Sequence, residues 1–151
     1  MFIPGIGAFV PVPAPDGQAM WSPRSEVTST LFRAPIEVNV ILSPGESPNT
    51  PLITEILADI DDHLSAALRF LHRALLSNPS TFGLTDNEAT RYHRFDPTSF
   101  PVDHPQLTFY ADSEWLIRFA EGTFPICDPY GVGVTFADTT PVRVEDFSDC
   151  D

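Results

Sequence analysis

Proline decides where this chain can be regular. Nine of its 16 prolines fall within the first 51 residues, and the longest proline-free stretch runs from Pro51 to Pro79. Proline fixes φ and donates no backbone hydrogen bond, so a long helix has to fit between prolines. Within this gap Ile53, Ile56, Leu57, Ile60, Leu64, Ala67, Leu68, Leu71 and Leu75 recur at three- and four-residue spacing, the stripe of an amphipathic helix. Thr50 is a suitable N-cap, Pro51 suits the first helical position, and Asn78-Pro79 is a stop. Glu55, Asp59, Asp61 and Asp62 lie in the first half and Arg69, His72 and Arg73 in the second, in the order the helix dipole favours. The stretch therefore predicts one helix over about Pro51–Leu76, roughly 37 Å long for about 25 residues.

Strand patterns flank it. Ile36, Val38, Val40 and Leu42 alternate with Glu37 and Asn39, the period of a half-buried strand. Val27–Phe32 is β-rich and a candidate partner. Residues 1–24, with Pro11-Val12-Pro13-Ala14-Pro15, read as an extended proline-rich arm lying along the domain, packed through Phe2, Ile3, Phe9, Val10 and Trp21. Residues 79–105 are the least regular part, with two helical turns over Asp86–Tyr92 and Asp86 as their cap. The last third reads as an antiparallel meander: Leu107 and Phe109, then Trp115, Ile117 and Phe119, then Val132, Val134 and Phe136, then Val142 and Val144. The expected architecture is α+β, with this sheet packed on one long helix. A chain of 151 residues has the size of one domain, and no internal repeat or linker divides it.

Charge narrows the partners. There are 21 acidic residues against eight basic ones, all Arg, for a net charge of −13. Such a chain repels phosphate backbones and anionic lipid surfaces, so neither nucleic acid nor membrane is an expected partner. A basic protein is the electrostatic match. Residues 103–151 carry ten acids and two Arg, most of the excess. No secretory signal pattern opens the chain and no apolar run reaches membrane-spanning length, which gives a cytoplasmic expectation.

Catalytic patterns are sparse. HExxH, GxGxxG, GxxxxGK[ST] and GxSxG are absent, and Glu114 and Glu121 do not form an evident glycosidase pair. Asp59 and His63 stand four apart beside Asp61 and Asp62, where a carboxylate could orient an imidazole for acid–base or metal chemistry; a solvated helix N-terminus accounts for the same residues. His93 and His104 stand near Asp96 and Asp103 with no recognised spacing. Cys127 neighbours Asp128, which opposes thiolate formation, and reads as a small buried hydrophobe. Cys127 and Cys150 form neither a disulfide framework nor a paired-cysteine metal site. No enzyme, metal or cofactor is expected.

The segment Glu114-Trp115-Leu116-Ile117-Arg118-Phe119-Ala120-Glu121-Gly122, followed by Phe124–Phe136, resembles the end of small acidic bacterial α+β immunity proteins that accompany polymorphic or contact-dependent toxins. The resemblance implies a protein that blocks a cognate toxin domain, such as a nuclease, by direct contact. It carries over no functional residue. The acidic and aromatic residues of the C-terminal third supply the expected contact set: Trp115, Asp128, Tyr130, Asp138, Glu145, Asp146, Phe147 and Asp149. The alternatives are a small hydrolase or metal-dependent enzyme built on Asp59, Asp62 and His63 or on His93 and His104, and a chaperone-like protein that binds through its proline-rich arm.

Overall fold

Among the described residues a single eight-stranded sheet, with its strands ordered as they occur in the chain, organises the molecule. The computed structural model describes residues 1–148. The strands are β1 (Phe2–Ile3), β2 (Gly7–Val12), β3 (Ala19–Pro23), β4 (Glu37–Leu42), β5 (Val102–Phe109), β6 (Glu114–Gly122), β7 (Val132–Ala137) and β8 (Thr140–Asp146). Every neighbouring pair is antiparallel except β4 and β5, which run parallel. That pair needs a crossover, and the chain uses it for α1 (Thr50–Ala58), α2 (Ile60–Ser77) and α3 (Asp86–Ala89). The fold is α+β, as expected, but the sheet dominates it.

Two expectations are corrected. The proline-rich N-terminus is not an arm: it forms β1, β2 and β3, paired in register with the rest of the sheet. Pro11 fits there because of strand parity. The Phe9 amide donates to Met1 on the β1 side, so Pro11, two residues on, turns its missing donor the same way, beyond the end of β1. The single long helix is instead α1 and α2, broken at Asp59 (φ −121°, ψ 41°). No proline or glycine causes the break. Asp59 stands at the N-cap of a new helix, and Asp61 and Asp62 supply its acidic first turn, where carboxylates favour the N-terminal end of the dipole.

Smaller differences follow from side-chain chemistry. Asn49, not Thr50, caps α1 by accepting from the Leu52 amide. Thr85, not Asp86, caps α3, in a reciprocal capping box with Glu88. Val27–Phe32 forms no strand; a lone bridge joins Val27 to Ile36, and Asp61 captures the following turn through the hydroxyls of Ser29 and Thr30 and the Thr30 amide.

The core lies between the helices and one face of the sheet. From the helices come Ile53, Ile56, Leu64, Leu68, Leu71 and Leu75, all fully buried; the sheet answers with Val40, Leu107, Ile117, Phe119, Val134 and Phe136. Each such side chain contributes about 2 kcal/mol of apolar burial. Trp115 stacks on Phe136 and Phe109 at 4.3 and 5.3 Å between ring centroids, and its indole N–H donates to the Asp138 carbonyl at 2.7 Å. A second aromatic group holds the irregular crossover. Phe82, Tyr92 and Phe100 pack on Phe124, while His72, read from sequence as part of a basic helix end, is buried against Phe95 and Phe100 with Nε2 at the Tyr92 carbonyl.

Candidate functional site

Strand alternation divides the sheet residues between two faces, and the helices take only one. The other set comprises Glu37 and Asn39 on β4, Gln106 and Thr108 on β5, Leu116 and Arg118 on β6, Gly133 and Thr135 on β7, and Arg143 and Glu145 on β8. Most of these keep contact with solvent. The face is polar at its margins and has Leu116 near its middle. Glu37 accepts from Asn39 and from Gln106, tying β4 to β5. Toward β8 a hollow of about 290 Å³ opens among Tyr110, Asp112, Glu114, Leu116, Glu145 and Phe147.

Among the described residues that line the hollow Arg143 is the only cation, and carboxylates hold it. Its Nε donates to Glu145 Oε1 at 2.7 Å and Nη2 lies 3.4 Å from Glu114 Oε2, while the Thr135 hydroxyl also donates to Glu145 at 2.7 Å. These hydrogen bonds raise the Arg143 pKa. Burial raises the Tyr110 pKa, and the negative charges of Asp112 and Glu145 push it further in the same direction. The hollow is therefore a negative concavity with its one cation already engaged. A close approach shapes its floor. A Cβ on Gly133 would sit 2.9 Å from the Phe147 ring and 3.0 Å from Leu116, so the glycine gives both side chains room to close over the strand. Arg118 stands over that ring at 5.9 Å and donates from Nε to the Tyr130 carbonyl.

The eight contact residues expected from sequence do not form one patch. Trp115 is removed from the surface altogether: it is fully buried, and its indole belongs to the core stack. Glu145 and Phe147 reach the open face. Tyr130 is 44% exposed and, with exposed Asp128, follows the short 3₁₀ turn Pro125–Cys127. Asp138 is exposed at the β7–β8 turn with φ +53°. Asp146 pairs in register with Val132, so it has the opposite parity from Glu145 and its carboxylate accepts from the Ser148 amide. Asp149, like Cys150, lies outside the described residues. Sequence reasoning missed Tyr110, Asp112, Leu116, Thr135 and Arg143, although the period-2 alternation that marked the buried partners also marks most of these as their opposites.

The residues considered for catalysis are spread over unrelated tasks. Asp61 holds the Ser29–Thr30 turn; burial raises its pKa, but the hydrogen bonds from Ser29 and Thr30 outweigh that and leave it lowered. His63 sits edge-on to Trp115 and Phe136, and burial lowers its pKa against the opposing charges of Asp59 and Asp62. His104 lies 3.5 Å from Glu121 at the far end of β5, with φ +54°, and His93 lines a separate hollow with Leu76 and Asp86. Cys127 is buried, as expected, and burial lifts its thiol to about 11. Among the described residues no three His, Cys, Asp or Glu side chains converge as a metal site, and no helix is long and apolar enough to cross a membrane.

Comparison with protein-family models, with curated proteins and with solved structures finds no match to this chain.

Proposed function

We propose that this chain is an inhibitory binding protein of the immunity type. It receives a basic protein partner, a toxin domain, on the open face of its sheet and blocks it by contact. The observation that carries this reading is the face itself: a sheet surface left uncovered by the helices, apolar at Leu116 and Phe147 and rimmed by Glu37, Asp112, Glu114 and Glu145. An apolar centre with a charged rim is the anatomy of a protein interface. A net charge of −13 accelerates encounter with a cationic partner, and a nuclease, whose own substrate is a polyanion, presents such a surface.

The test begins with capture of a stoichiometric basic partner at low salt, followed by association kinetics at several ionic strengths. Glu37→Arg combined with Thr108→Arg places two cations on the open face, on strands remote from β8. The expected result is slower association and a flatter salt dependence, with dissociation changed less. Association identical to that of the parent chain at every ionic strength rules this face out.

A further inference from the structure

The two edges of the sheet are built differently. At one edge β1 covers only the start of β2, and the rest of β2 is blunted by Pro11, with Pro13 following. At the other edge lies β8, seven residues long, for which the strand order among the described residues gives no outer neighbour. Long unpaired edges invite a further strand, and proteins usually blunt them. Here Pro141 interrupts only the first part, beside the bulge at Thr135/Phe136, and Val142 is 42% exposed.

Parity states what this edge offers. The Asp138 amide donates to Ser113, on the β6 side, so Thr135 and Gly133 turn toward β8 and face Arg143 and Glu145. Arg143 and Glu145 thus spend their backbone groups on β7, and those of Val144 point outward. We propose that β8 pairs antiparallel with β8 of a second copy of this chain, about a two-fold axis at Val144.

Charge selects that register. Centred on Val144, Arg143 of each copy stands opposite Glu145 of the other, in non-hydrogen-bonded pairs where Cα atoms approach to about 4.5 Å. Centring on Arg143 sets Arg against Arg, and centring on Glu145 sets Glu against Glu. The contact is isologous and closes after two copies. The helix layer is compatible with it. Helix α2 packs on β7 and β8, and the flank of α2 that carries His63, edge-on to Phe136, continues through Ala66, Phe70 and Ala74, which are only partly buried. The two-fold brings these flanks together on one side of a continuous sheet. Small residues on both sides of one Phe suit helices packed about 8–10 Å apart. The Arg143–Glu145 pairs lie at the β8 margin of the open face, while its β4 and β5 part, with Glu37 and Thr108, stays outside the contact, so substitutions there test the binding role proposed above separately.

The test is sedimentation of the purified chain without partner, over a concentration series, at an ionic strength high enough to screen the repulsion between two chains of −13. The expected result is a shift from 16.7 kDa to twice that mass. Arg143→Glu alone and Glu145→Arg alone each set like charges opposite one another and should weaken self-association at least tenfold. The double variant restores opposite pairs and should regain it, and a mixture of the two single variants should form the mixed dimer in preference to either homodimer. Circular dichroism of each variant separates lost pairing from lost folding. A parent chain that stays at 16.7 kDa into the millimolar range overturns the proposal, as does a dimer that neither single reversal weakens.

Discussion

At the scale of single residues, two positions carry constraints that a hydropathy pattern cannot express. Gly131 has φ +85°, and a Cβ there would lie 2.0 Å from the Phe119 carbonyl oxygen. Gly131→Ala is expected to cost about 2 kcal/mol or more, from backbone strain and from displacing β6, measured as a lower urea midpoint. His63 illustrates a titration that opposes folding. Burial lowers its pKa below the unfolded value near 6.5, so the folded state takes up the proton less readily than the unfolded chain. Stability from this group is complete above pH 6.5 and falls as the pH drops through that value toward the folded pKa. A urea midpoint that declines between pH 7.5 and 5.5 in the parent chain, and declines less in His63→Leu, is the expected signature. The alternation in the last third already marked Trp115 as inward, but an aromatic among acids also fits a contact residue. What decided between the two was a partner for its indole N–H, the Asp138 carbonyl, which only the β7–β8 turn brings within reach.

At the scale of elements, the strands of the last third were readable because each carries its own period-2 signal, and β4 was readable for the same reason. The helices were only half readable. Their apolar stripe runs unbroken from Ile53 to Leu75, and nothing in that periodicity records that Asp59 leaves helical dihedrals. The N-terminal strands were missed because Pro11 and Pro13 disqualify a strand whose amides must all be paired, whereas this one has a free side. The Ser29–Thr30 turn was invisible because its partner, Asp61, lies in another element altogether. Asp61→Ala removes an acceptor that holds two hydroxyls and a backbone amide. The expected loss is about 1 kcal/mol, with faster amide exchange at Thr30 and Leu31 and little change in β6 or β7.

At the scale of the whole molecule, a charge of −13 works against compaction, because the folded state holds the carboxylates closer together than the unfolded chain does. Added sodium chloride should therefore raise the melting temperature between low and physiological ionic strength, the opposite of a fold held by surface ion pairs. The candidate site was legible as a bias of composition toward the C-terminal third, but not as a place. Glu145 and Asp146 are adjacent in sequence and opposite in parity, and only pairing with Gly133 and Val132 tells them apart. The parallel joint between β4 and β5 has a kinetic consequence. All other strand pairs are antiparallel and joined by shorter connections, while Val38 and Leu107 meet only after the chain has closed the excursion through α1, α2 and α3. Loop closure must precede that contact, so the two meanders can form early and their joining sets the folding time. In a chevron experiment, Val38→Ala and Leu107→Ala should slow refolding, whereas Val134→Ala, inside a local hairpin ladder, should divide its effect differently between the two limbs.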